Sequence, residues 1–144
     1  MTAMASNGIP PVGTVARRSR TITTDDIVRF TEMTGDRNPL HYDEAAAEAS
    51  RFGGIIVQGG VTSGLLNATV AEDLPGPGSV FLQVSWSFKA PARPGDRLTA
   101  EVEVLERRDD KTIATLRTTI TTQDGTTVLD GTAVVYREPL PVTS

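Results

Sequence analysis

The second half of the chain repeats with a period of two. Residues 80–88, 98–106, 112–122 and 126–136 alternate apolar with polar side chains and are rich in threonine, valine and isoleucine. That alternation gives each strand one face for a core and one for water, and β-branched side chains suit a pleated surface. Arg108-Asp109-Asp110 and Gln123-Asp124-Gly125 read as hairpin turns and residues 91–95 as a loop, so the last two strands are expected to be antiparallel neighbours. A short first strand is expected over residues 14–22. A sheet of this kind must cover one apolar face, and the cover has to come from the first half.

That half reads as helices. Thr23 as N-cap with Asp26 at the third helical position resembles a capping box; Ile27, Phe30 and Met33 follow at helical spacing, and Gly35 is a natural stop. Asp43 can cap a short alanine-rich helix over residues 44–51. After the glycine-rich passage 52–60, residues 61–72 carry apolar or small side chains and almost no charge before Glu72, which predicts a helix buried on most sides. Leu74-Pro75-Gly76-Pro77-Gly78 ends it. Helices followed by a run of strands predict an α+β fold, with one buried helix laid across an antiparallel sheet. Residues 1–12 read as a flexible lead and 13–144 as a single domain. Trp86 and Phe88 are expected in the core.

Composition narrows the function. A net charge of −4 argues against nucleic acid as a main partner. No apolar run approaches the ~20 residues of a membrane span, and the start does not read as a secretory signal, so no membrane partner is expected. With no cysteine and one histidine, disulfides and the common zinc sites are not expected, and a reducing, cytoplasmic setting suits the chain. Arg17, Arg18 and Arg20 read as a solvated strand face.

The single histidine, His41, stands five residues after Asp36, with Asn38-Pro39 between them. A helix ending at Gly35 and a rigid turn at Pro39 could bring both side chains to one point, and a carboxylate with an imidazole can move protons at neutral pH. The bland alternative is a surface histidine after a turn and a helix-end carboxylate.

Gly35-Asp36-Arg37-Asn38-Pro39-Leu40-His41, Phe52-Gly53, Ile56-Val57, Gly59, Leu74-Pro75-Gly76, Ser87-Phe88-Lys89, Pro94-Gly95-Asp96 and residues 100–104 together resemble the MaoC-like (R)-specific enoyl-CoA hydratases. The resemblance implies a hotdog fold, in which a five-stranded antiparallel sheet wraps a long central helix, and a homodimer joined sheet edge to sheet edge. It implies hydration of trans-2-enoyl thioesters to (R)-3-hydroxyacyl thioesters, or the reverse, on coenzyme A or an acyl carrier protein, with no cofactor. By motif position Asp36 and His41 are the catalytic pair. Asp36 is the expected base and His41 the expected orienting partner and proton donor, an assignment the sequence leaves open. The Gly59 N–H, at the start of the central helix, is expected to bind the thioester oxyanion. Asn38, Gln58, Gly60, Thr62 and Ser63 are candidate substrate contacts, Asn38 reading first as a turn-tying side chain and Thr62 and Ser63 equally as helix packing; Lys89, Arg93 and Arg97 read first as solvated loop charges, with the phosphates of coenzyme A as the alternative partner.

Gln58 departs from the family, which usually has histidine there, and simple counting puts Gly64 where a serine is common. Gln58 can donate and accept hydrogen bonds but cannot carry a proton. That change motivates a second reading, a tailoring dehydratase or cyclase acting on a carrier-bound or specialised acyl intermediate. A hotdog thioesterase is disfavoured because residues 61–71 hold no carboxylate. A non-catalytic acyl-CoA-binding subunit is disfavoured by the intact Asp36/His41 pair.

Overall fold

Ile22 marks where the first strand gives way to the first helix. In the computed structural model, which describes residues 8–141, β1 (Val15–Thr21) precedes α1 (Thr24–Thr34), a 3-10 turn (Pro39–His41), α2 (Glu44–Ala49) and α3 (Gly59–Glu72). The strands β2 (Ser79–Phe88), β3 (Arg97–Arg108), β4 (Ile113–Thr121) and β5 (Thr127–Arg137) then follow without interruption. They form one antiparallel sheet of order β1-β3-β4-β5-β2. The expected α+β architecture is therefore present, and β4 and β5 pair as neighbours. No helix among the described residues is long and apolar enough to cross a membrane.

The alternation places the core. Leu98, Ala100, Val102 and Val104 on β3, and Ala114, Leu116 and Ile120 on β4, are fully buried against α3, which contributes Leu65, Leu66 and Val70. Burial of this apolar surface is the main force holding helix to sheet. Thr118 lies on the same inner face, fully buried, and its hydroxyl accepts from the Trp86 indole N–H at 3.0 Å. Gly131 stands between them in the pairing, opposite both Trp86 and Thr118. A Cβ at Gly131 would strike the Ser85 carbonyl of the adjacent strand.

Two expectations about the core need correction. Trp86, half-buried, packs against the core cluster as expected, but Phe88 is 56% exposed. Both sit on β2, a sheet edge whose pairing shifts between Phe81 and Gln83, and Val80, Leu82 and Val84 are exposed there as well. An edge strand has neighbours on one side only, so its apolar side chains lack half their cover. Met33, expected to share a face with Ile27, is also exposed. It lines a cleft of about 480 Å³ between α1, α3 and β1.

The α1 signals behave as expected. The Asp26 carboxylate accepts from the Thr23 N–H at 2.9 Å in a capping box, and Gly35 ends the helix at φ 84°. Packed chain begins before residue 13, where the sequence places the start of the domain. Residues 1–7 lie outside the described residues, but Ile9 is buried in the core cluster. Arg107 donates to the Ile9 carbonyl at 2.9 Å and Arg137 to the Gly8 carbonyl at 2.8 Å. The Arg17, Arg18 and Arg20 cluster divides among three carboxylates, Glu101, Asp73 and Asp26.

Candidate active site

The turn after α1 brings the carboxylate and the imidazole together through a chain of short-range hydrogen bonds. Asp36 Oδ1 accepts from the Asn38 N–H at 3.1 Å, and Asn38 Oδ1 accepts from the Leu40 N–H at 3.1 Å. Pro39 opens the 3-10 turn with a backbone dihedral already set, and the His41 N–H closes onto the Asn38 carbonyl at 3.0 Å. Asp36 Oδ2 and His41 Nε2 end 4.0 Å apart. Asn38 is exposed and its oxygen caps the turn, so its placement is that of a tie.

His41 is 8% exposed, and its Nδ1 lies 2.7 Å from the Ile56 carbonyl. A carbonyl only accepts, so Nδ1 carries a proton, and whenever Nε2 is unprotonated the ring presents a lone pair there toward Asp36. Two acceptors 4.0 Å apart are too far for a direct hydrogen bond. One water can donate a hydrogen to each.

The Ile56 carbonyl is itself held. The Ile56 N–H donates to the Leu40 carbonyl at 3.2 Å and the Val57 N–H to the Ala92 carbonyl at 2.8 Å. Arg93 donates to the carbonyls of Ile55 and Phe52. Arg93 is therefore a clip across the glycine-rich passage and not a free cation for coenzyme A phosphates, correcting that alternative. Lys89 is exposed; its backbone N–H donates to the Val128 carbonyl at 2.8 Å, and its ammonium has no hydrogen-bond or ion-pair partner among the described residues.

At the start of α3, Gly59 and Gly60 are exposed residues whose N–H groups have no acceptor among the described residues. Free amides at a helix N-terminus favour negative charge. Gly59, Ile56, Thr62, Phe88 and Lys89 border a cavity of about 350 Å³. Neither Asp36 nor His41 is in the wall of this cavity or of the 480 Å³ cleft; the smaller cavity connects to the pair through Ile56, which lines it and whose carbonyl bonds His41. Gly60 lies under the Phe30 ring, which a Cβ there would run into.

The other candidate contacts divide. Thr62 lines the cavity, whereas the Ser63 hydroxyl turns back to the Gly60 carbonyl at 3.4 Å. Gln58 is 1% exposed and points to α1, donating to the Ile27 carbonyl at 3.0 Å. That orientation makes it a support rather than a substrate contact. Thr31, Tyr42 and the Ile56 carbonyl were not among the sequence candidates. A backbone carbonyl leaves no mark in a sequence, and Thr31 looks like any helical threonine.

The family profile described as MaoC like domain matches residues 10–126. An (R)-specific enoyl-CoA hydratase of Aeromonas caviae is 44% identical over 124 residues, covering 86% of this chain and 92% of that protein. A 3-hydroxybutyryl-CoA dehydratase of Methylorubrum extorquens is 40% identical over 124 residues, 86% of this chain and 78% of that one. Among solved structures, the (R)-hydratase from A. caviae involved in PHA biosynthesis matches with a TM-score of 0.84 at 42% identity, over 90% of this chain and 98% of that one. With the profile spanning most of the sequence and the hotdog frame shared with that hydratase, the chain belongs to the MaoC-like dehydratase family.

Proposed function

We propose that this chain interconverts trans-2-enoyl thioesters and (R)-3-hydroxyacyl thioesters, with Asp36 and His41 activating one shared water. The observation that carries the proposal is the 4.0 Å separation of two proton acceptors, with the His41 tautomer set by the Ile56 carbonyl. In hydration, the water oxygen bonds to the β-carbon as its proton passes to the pair. Electron density moves to the thioester oxygen, which the Gly59 N–H stabilises. A proton from the pair then bonds to the α-carbon as the enolate collapses. The pair ends with the protons it began with, so the cycle balances without a redox group. Because His41 Nδ1–H is committed to Ile56, the imidazole donates from Nε2 only after it has been protonated there. One pair serves both steps from one side, so oxygen and hydrogen add to the same face.

The relatives named above support coenzyme A thioesters as substrates. Lys89, unpaired at the cavity rim, is placed to meet an anionic carrier. The exposed apolar edge of β2 suits pairing with a second copy, edge to edge. Spectrophotometric hydration of crotonyl-CoA tests the chemistry. Asp36→Asn and His41→Gln are each expected to lower turnover by roughly 10²–10⁴-fold with an unchanged circular dichroism spectrum. Near-normal rates in both variants would refute the mechanism.

A further inference from the structure

Thr31 is 3% exposed on the inner side of α1, one turn before the helix ends. Its hydroxyl donates to the Asp36 carbonyl at 2.7 Å. The same oxygen is in short contact with the Tyr42 hydroxyl and lies 3.4 Å from Gln58 Nε2. A hydroxyl has one proton and two lone pairs. With that proton spent on Asp36, Gln58 Nε2 donates into Thr31, and so does the Tyr42 hydroxyl, whose single proton is shared with the Ile27 carbonyl at 3.4 Å. The Thr31 carbonyl also accepts from the Gly35 N–H at 2.7 Å. One residue thus holds both the amide before Asp36 and the carbonyl of Asp36 itself.

The three arms end at the three parts of the site. Asp36 is reached directly, Tyr42 is covalently next to His41, and Gln58 is next to Gly59. The Gln58 amide adds a bond to the Ile27 carbonyl at 3.0 Å, while its Oε1 is buried without a partner. Stability alone disfavours an orphaned buried acceptor. Registration of the site explains why the amide is oriented this way: only its N–H₂ end can bridge Ile27 and Thr31. Resting on the hydratase reading above, we infer that the buried Thr31 hydroxyl, fed by Tyr42 and Gln58, is a positioning group that sets Asp36 relative to His41 and Gly59.

The test compares wild type, Thr31→Val and Thr31→Ser in steady-state crotonyl-CoA hydration, with the ring nitrogen resonances of the single histidine read by NMR at fixed pH. Thr31→Val is expected to lower kcat roughly 10- to 100-fold, the scale of a misplaced catalytic group, with KM within about twofold. Thr31→Ser, which restores the hydroxyl, is expected to keep kcat within about threefold of wild type. The His41 resonances should move in Thr31→Val and stay in Thr31→Ser. Wild-type turnover in Thr31→Val, or resonances that stay put, would overturn the inference while leaving the hydratase reading intact. A wild-type protein inactive on every enoyl thioester would refute that reading instead, and the NMR comparison would still decide whether Thr31 sets the site. Should Thr31→Val fail to fold, Tyr42→Phe removes one arm and carries the same two readouts, with a smaller expected drop in kcat; no change in either would overturn the proposal.

Discussion

Replacing Asp26 by asparagine should weaken the fold near neutral pH and do almost nothing in acid. Asp26 is 8% exposed beneath the first turn of α1. Its carboxylate accepts from the Thr23 N–H at 2.9 Å, the Thr23 hydroxyl at 3.3 Å and the Arg20 guanidinium at 2.6 Å. Burial pushes its carboxyl up, but the Thr23 amide, the Arg20 guanidinium and the Thr23 hydroxyl outweigh burial and hold it below the usual carboxylate range. Asparagine keeps an acceptor and loses the charge. The weakened capping box costs about 1 kcal/mol. Loss of charge assistance costs about another 1 kcal/mol, kept small because the Arg20 side chain is 52% exposed. The expected loss is therefore about 2 kcal/mol at pH 7. An unfolding entropy near ~2.1 cal/mol/K per residue over 144 residues converts that to a Tm about 7 °C lower. A carboxyl whose folded pKa is depressed stabilises the fold above its unfolded value and stops doing so as pH falls through the folded one. The gap between wild type and Asp26→Asn should thus hold from pH 7 to about 5 and shrink toward zero below the unfolded value of about 3.9. Asp73, held down by Arg18, and Glu101, held down by Arg117 against some burial and helped by Arg17, make both proteins acid-sensitive and cancel in the difference. Thermal melts across this range, followed by circular dichroism, supply the measurement. A gap as large at pH 3 as at pH 7, or coincident melts at pH 7, would refute the reasoning.

Two further outcomes are expected. Arg93→Met frees the Phe52 and Ile55 carbonyls and loosens the passage that carries the Ile56 acceptor of His41; steady-state kinetics should show kcat down about tenfold in a protein that remains folded by circular dichroism. Gly131→Ala drives a Cβ into the Ser85 carbonyl and parts β5 from β2; urea titration should show a loss of about 3 kcal/mol, and a loss under about 1 kcal/mol would mean that the strands give way easily.

Residues 98–104, 113–121 and the Thr23–Gly35 segment were readable because their signals are local. Alternation, a capping pair three residues apart and a glycine stop are written within one or two turns of chain, and the structure keeps each. The Asp36–His41 turn was readable for the same reason, since its ties span only a few residues. Edge exposure on β2 was not readable, because alternation reports a strand's faces and not the number of its neighbours. Arg93, Thr31 and Gln58 also escaped a local reading. Their partners lie 41, 27 and 31 residues away or are backbone carbonyls without side-chain identity. Short-range order follows from steric and hydrogen-bond rules between near neighbours, so the order of residues is enough to specify it. The tautomer of His41, the clip at Arg93 and the hub at Thr31 arise only when packing of α1 and α3 on the sheet brings distant backbone into reach of buried donors that must find an acceptor.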